Sequence, residues 1–179
     1  MIEKTAIRKE IKQLKSQLTG FDKHQASTLV FQKLYELNEW KDSNHILVYH
    51  SLPDELQTID FLANTSGKSL YLPKIVGNEL MIVKYNPNEL ESGSFNILEP
   101  SSDDYVCPKN IDLVIVPGIA FDHQKNRLGR GKGYYDKLLT HTEAIKIGIC
   151  YDFQLLESVP TSSHDIKMDI IISPNTTIL

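Results

Sequence analysis

The residues best equipped for chemistry lie between positions 116 and 136. The chain there reads Val116-Pro117-Gly118-Ile119-Ala120-Phe121-Asp122 and, three residues on, Asn126-Arg127-Leu128-Gly129-Arg130-Gly131-Lys132-Gly133-Tyr134-Tyr135-Asp136. Lys125, Arg127, Arg130 and Lys132 place four cations within eight residues of a chain whose formal net charge is -4. Gly129, Gly131 and Gly133 are interleaved with them. Without a Cβ, the backbone N–H groups there can approach an anion closely. A helix opening just after the loop adds free N–H groups and partial positive charge. Phosphate binding is the chemistry this combination suits. The common phosphate motifs differ from it. Gly133 follows Lys132 where a Walker loop needs Ser or Thr, and Tyr134 stands at the third glycine of the dinucleotide fingerprint. On composition alone, a solvated basic turn is the competing account.

Other residues add to this cluster with less force. Lys4 and Arg8, four residues apart, project from one helix face, although such spacing is common on solvated faces. Asp136 and Asp165 offer oxygens suited to a hard divalent cation. Either one taken singly reads as a helix-start or turn residue. His50, at a strand's end, reads as structural, and His24, His123 and His141 have no partner at metal-ligand spacing. Asp122 is placed to cap the loop after it. No Ser–His–Asp or Cys–His arrangement is evident, so no protein nucleophile is expected. Cys107 and Cys150 sit far apart in no metal spacing, which suits a reduced compartment.

The elements positioning these groups follow from periodicity. Ile7, Ile11, Leu14 and Leu18 recur at helical spacing, with Lys4, Arg8, Lys12 and Lys15 around another face. A second helix is predicted from Asp22, with Gln25 as capping-box partner. Short apolar runs at 45–50, 69–72, 80–85, 111–116, 145–150 and 168–172 read as strands, and 134–141 as a helix between the fourth and fifth of these. The run at 80–85 fits an edge hairpin. Runs apolar throughout suit strands covered on both faces, as in α/β folds. Residues 86–110 form a long irregular stretch of the kind that is functional or disordered. At 179 residues, 41% hydrophobic and 23% charged, the chain suits one globular domain spanning 1–179. The negative net charge disfavours nucleic acid and anionic membrane as partners. No apolar run nears the roughly 20 residues of a membrane helix. The charged amino terminus carries no signal-peptide core, so a cytoplasmic location and a monomer are expected.

The loop at 126–136, preceded by Val-Pro-Gly and Phe-Asp, resembles the signature of the 5-formyltetrahydrofolate cyclo-ligase family. Further similarities run along almost the whole chain. Lys4 and Arg8 match an amino-terminal Lys-x-x-x-Arg, and Glu55-Leu56-Gln57-Thr58 matches Glu-x-x-Thr. Ile97-Leu98-Glu99-Pro100 matches Ile-x-Glu-Pro, and His164-Asp165-Ile166-Lys167-Met168-Asp169 matches the carboxy-terminal segment. Phe95 stands where many members carry Trp, keeping a stacking face without the indole donor.

The resemblance implies a three-layer α/β/α sandwich with a mostly parallel or mixed sheet, related to the isomerase and CoA-transferase-like folds. It implies ATP- and Mg²⁺-dependent cyclisation of 5-formyltetrahydrofolate to 5,10-methenyltetrahydrofolate. Lys4, Arg8 and the run Arg127, Leu128, Gly129, Arg130, Gly131, Lys132, Gly133, Tyr134 and Tyr135 would line ATP. His50, Glu55, Phe95 and the run from Arg130 to Tyr134 would meet the folate. Arg130, Lys132 and Tyr134 would act in catalysis, and Asp136 and Asp165 would hold the metal. Two other classes compete. A kinase or sugar-phosphate isomerase on the same fold would use the loop without needing Glu55 or the 95–100 segment. An RNA-binding module would use Lys4, Arg8, Lys12 and the 125–132 cluster, but the net charge and sparse aromatic–basic interleaving count against it.

Overall fold

The computed structural model describes residues 2–93 and 98–179. Its centre is an eight-stranded sheet. In chain order the strands are β1 (His45–Leu47), β2 (Ser69–Val76), β3 (Glu79–Lys84), β4 (Leu90–Ser92), β5 (Leu98–Pro100), β6 (Tyr105–Val106), β7 (Leu113–Pro117), β8 (Ala120–Asp122), β9 (Arg127–Leu128), β10 (Ile145–Ile149), β11 (Leu155–Leu156), β12 (Ile170–Ile172) and β13 (Thr177–Ile178). The large sheet runs β13-β12-β10-β7-β1-β2-β3-β6. Its middle, from β12 to β2, is parallel, while β13, β3 and β6 add antiparallel edges.

Helices cover both faces, as the apolar strands require. On one face α2 (Gly20–Glu36), α3 (Asn38–Asp42) and α4 (Ile59–Asn64) bring Val30, Phe31, Leu34, Trp40 and Phe61 against Ile46, Val48, Ile115, Ile147 and Ile172. On the other, Leu138 and Leu139 of α5 (Tyr134–Leu139), together with Phe121, pack on Leu47, Val114, Val116 and Ile171. The expected three-layer α/β/α arrangement is present. A third cluster seats α1 (Ile2–Lys15) on the small sheet β11-β8-β9 through Ile11, Ile119, Ala120 and Leu128.

Several local expectations shift. The second helix starts earlier than Asp22: Thr19 is its N-cap, accepting from Asp22 N at 3.2 Å, while Asp22 Oδ2 accepts from Thr19 N at 2.9 Å. The stretch 86–110 contains the β4–β5 hairpin and the edge strand β6. The run at 80–85 does form a hairpin with β2, turning through Gly77 at φ 59°, but β6 covers its outer side. Lys15 does not lie on a solvated face; its side chain is 2% exposed.

The chain does not pass from β7 straight into the basic loop. It first makes the β8–β9 hairpin, so Arg127 and Leu128 are strand residues. Asp122, 1% exposed, holds this hairpin's turn. Its carboxylate accepts from Gln124 N, Asn126 N, Asn126 Nδ2 and Val159 N, at 2.8–2.9 Å. Burial alone would raise this carboxyl, but the bonds from Asn126, Val159 and Gln124 outweigh it and hold the group below the ordinary aspartate value.

The sign of the pH effect follows. A depressed carboxyl adds stability above its unfolded value of about 4, and that stability is lost as pH falls through the folded value. Asp122→Ala, which strands buried N–H groups, should cost about 3 kcal/mol in denaturant unfolding. Asp122→Asn should lose less stability than the native protein as pH drops below about 4, and an unchanged acid profile would deny the carboxylate this role.

Candidate active site

Strand β1 has β2 on one side and β7 on the other, and the connections leaving them part to opposite sides of the sheet. In open α/β sheets a crevice forms beyond the carboxyl ends at such a switch point. A cleft of about 690 Å³ lies there, bordered by Tyr49 and His50 after β1 and by Pro117 and Gly118 at the end of β7. Its remaining walls are the 127–136 loop, Lys4 and Arg8 of α1, Leu52, Asp54 and Glu55, Asp165, and Pro73, Ile75, Leu80, Leu98 and Glu99 from the hairpins. Every site residue expected from the sequence borders this one cleft except Phe95, which lies outside the described residues.

The loop's glycines have distinct uses. Gly131 has φ 102°, a conformation L residues rarely adopt, and a Cβ there would stand 3.4 Å from Arg8 Nη2. Gly133, at φ 70°, is the N-cap of α5, whose first bond runs from Lys137 N to Gly133 O at 3.0 Å. The N–H groups of Tyr134, Tyr135 and Asp136 precede that bond, so no helical partner satisfies them. The helix has only six residues, so local N–H groups matter more here than a long dipole. Arg8 Nε donates to Gly129 O at 3.0 Å, tying α1 to the loop. Lys132 is exposed and makes no ion pair among the described residues.

Opposite charges are otherwise matched closely. Arg127, with a side chain 4% exposed, donates to Asp136 Oδ1 at 2.8 Å and to Pro117 O at 3.2 Å. Lys4 Nζ meets Asp165 Oδ2 at 2.8 Å, and Ser162 N donates to the same oxygen at 2.7 Å. Burial would raise Asp165, but the bonds from Lys4 and Ser162 outweigh it and hold its carboxyl low. One oxygen of each carboxylate is thus engaged, and Asp136 Oδ2 accepts no hydrogen bond among the described residues. Single oxygens from two aspartates suit a magnesium ion that takes its other ligands from phosphate and water. No cluster of three or more His, Cys, Asp or Glu residues capable of a fuller metal cage occurs among the described residues. Two buried donors, Arg127 Nε and Tyr135 Oη, also lack partners there, and burial holds the Tyr135 phenol protonated far above neutrality.

Glu55 anchors the other end. Its Oε2 accepts from Leu52 N at 3.0 Å, and its Oε1 accepts from Arg130 Nη2 at 3.0 Å and Nε at 3.2 Å. Tyr151 Oη donates to Glu55 O at 2.9 Å and Tyr49 Oη to Leu56 O at 3.2 Å, pinning the segment's backbone. Burial lowers the His50 imidazole below its ordinary value, so it is neutral at pH 7.

Sequence reasoning missed Asp54 and Tyr49, and took Tyr151 as a residue that simply follows a strand. Asp54 Oδ1 accepts from Arg130 Nη2 at 2.7 Å, and Lys15 Nζ lies 3.7 Å from Oδ2. Only the adjacency of Asp54 to Glu55 in a Pro-Asp-Glu run hinted at it.

Comparison with known proteins places the chain as a whole. Residues 1–174 match the 5-formyltetrahydrofolate cyclo-ligase family. The 5-formyltetrahydrofolate cyclo-ligase of Haemophilus influenzae is 32% identical over 178 residues, covering 93% of this chain and 95% of that protein. The mouse (Mus musculus) protein of the same name is 29% identical over 187 residues, covering 94% and 92% respectively. The solved 5,10-methenyltetrahydrofolate synthetase of Aquifex aeolicus superposes with a TM-score of 0.89 at 33% identity, over 97% of this chain and 91% of that one. With its glycine–cation loop, amino-terminal Lys–Arg pair and Glu55 gathered at one switch-point cleft, this chain belongs to the 5-formyltetrahydrofolate cyclo-ligase family.

Proposed function

We propose that the cleft binds ATP along the 127–135 loop and the folate toward Glu55, and there converts 5-formyltetrahydrofolate to 5,10-methenyltetrahydrofolate. The observation that carries this assignment is the bridge made by Arg130, which belongs to the phosphate loop yet bonds Glu55. That bridge brings a phosphoryl donor and a hydrogen-bonding carboxylate to one place.

The chemical difficulty is an amide oxygen, which leaves poorly. The formyl oxygen attacks the γ-phosphorus of ATP, the bond to ADP breaks, and an iminium phosphate results. The nitrogen at position 10 then attacks the formyl carbon, the carbon–oxygen bond breaks, and phosphate leaves as that nitrogen loses its proton. Catalysis of this kind is chiefly positioning and charge neutralisation. Lys132, exposed and without an ion pair among the described residues, supplies a cation to the phosphoryl oxygens. The buried donors of Arg127 and Tyr135 suit further acceptor oxygens. Lys4 and Arg8 reach the phosphates from α1. Magnesium, held by one oxygen each of Asp136 and Asp165, would neutralise charge on the transferring group. The apolar wall of Pro73, Ile75, Leu80 and Leu98 suits the flat folate ring system beside His50. The two free thiols suit a reducing cytoplasm.

Purified protein with Mg-ATP and 5-formyltetrahydrofolate should yield one ADP and one phosphate per methenyl product; intact ATP with both substrates present would sink the assignment. Lys132→Ala should lower kcat/KM for ATP roughly thirtyfold, the loss of one charged hydrogen bond. Gly131→Val should do at least as much harm, through its φ and its contact with Arg8. Glu55→Gln should raise KM for the folate while leaving that for ATP nearly unchanged; equal damage to both constants would mark Glu55 as structural.

A further inference from the structure

Behind the cleft wall, on the far side of Asp54, lies a group that does not itself border the cleft. Lys4, Arg8, Ile11 and Lys15 recur at steps of four, three and four, so they form one stripe along α1. The first two border the cleft and Ile11 fixes the helix in the core, whereas Lys15 closes the helix 2% exposed. A buried ammonium without a counter-charge is strongly destabilising. Asp54 is the carboxylate that meets it, at 3.7 Å. The other oxygen of Asp54 holds Arg130, which in turn holds Glu55.

These contacts make an alternating row of charges, Lys15, Asp54, Arg130 and Glu55, that runs from core to cleft. Its two middle members, Asp54 and Arg130, could not order themselves. The side chains of Asp54 and Arg130 are 39% and 45% exposed, and exposed pairs of this kind are loosely held. Lys15 is different because packing leaves its charge nowhere else to go. We propose that Lys15, acting through Asp54, is a positioning residue that sets Arg130 and Glu55 for the folate. This rests on the placement of the folate at Glu55 argued above. Burial lowers the ammonium from the ordinary lysine value against the opposing pull of Asp54 and Glu55, and Arg130 is the other charge facing it.

The test uses Lys15→Met, which keeps length and apolar stem while removing the charge. Replacing a buried charge with a hydrophobic residue of similar size is compatible with folding. In steady-state assays the variant should show KM for 5-formyltetrahydrofolate raised about tenfold, with a smaller rise in KM for ATP, which Arg130 also meets. Lys15→Arg should restore most of the loss. The double variant Lys15→Met with Asp54→Asn should be no worse toward the folate than the worse of the two single variants, because both act through one row. A merely structural lysine would instead reduce the active fraction, hence kcat, with both Michaelis constants unmoved. Unmoved folate KM in Lys15→Met, or multiplying effects in the double variant, would overturn the inference. If the native protein itself fails to convert 5-formyltetrahydrofolate, the assigned reaction has failed instead.

Discussion

The parting of the chain at the carboxyl ends of β1 and β7 governs the rest of this structure. Parallel strands whose connections leave to opposite sides cannot close the space beyond them. That space must be roofed by something other than the sheet. Here the roof is assembled from the β8–β9 hairpin, the glycine loop and α1. The hairpin lies tightly on the sheet. Phe121 sits where a Cβ on Gly118 or Gly148 would come within 2.5 Å, so both glycines make room for one ring. Asp122, next in the chain, then fixes the turn from which Arg127 and the loop depart.

Electrostatics within the cleft follow the same economy. Asp54, Glu55, Asp136 and Asp165 each face a cation, so little net charge is left to repel or trap a ligand. On the proposed reading, an incoming triphosphate would meet cations already held in place by carboxylates and backbone. Arrangement costs met during folding need not be met again at binding. Lys132 stands apart as an exposed cation with no such restraint.

What the sequence revealed, and what it hid, divides along physical lines. The glycine–cation loop was legible because its chemistry is local: residue type and spacing suffice. The buried strand β7 was legible because it is apolar throughout, and β10 because Ile145, Ile147 and Ile149 recur around one lysine. The strands β8, β9 and β11 have two or three residues each, too few for any period to register. The Thr19 cap was missed because Asp22, not the Glu or Gln of the usual capping box, reciprocates it. Lys15 shares the inward stripe with Ile11, but its charge argued for solvent. The carboxylate that reverses this argument, Asp54, belongs to a different part of the chain. Long-range compensation of that kind leaves no local trace.

Helix α1 also bears on the order in which the protein can become itself. It precedes every strand of the sheet, yet two of its polar anchors are distant: Arg8 bonds a carbonyl 121 residues later, and Lys4 a carboxylate 161 residues later. On a ribosome the helix emerges long before either anchor exists. Isolated helices of this length are marginal in water, so α1 waits as a loosely ordered basic segment while the sheet forms. Ile11, Lys15 and Arg8 meet partners made earlier, but its docking is completed only after the chain has passed Asp165. A nascent or truncated chain short of that point keeps its sheet-forming strands up to β10 but lacks an anchored wall on one side of the cleft. The Lys4–Asp165 side of the cleft is thus assembled only after β11 has been made.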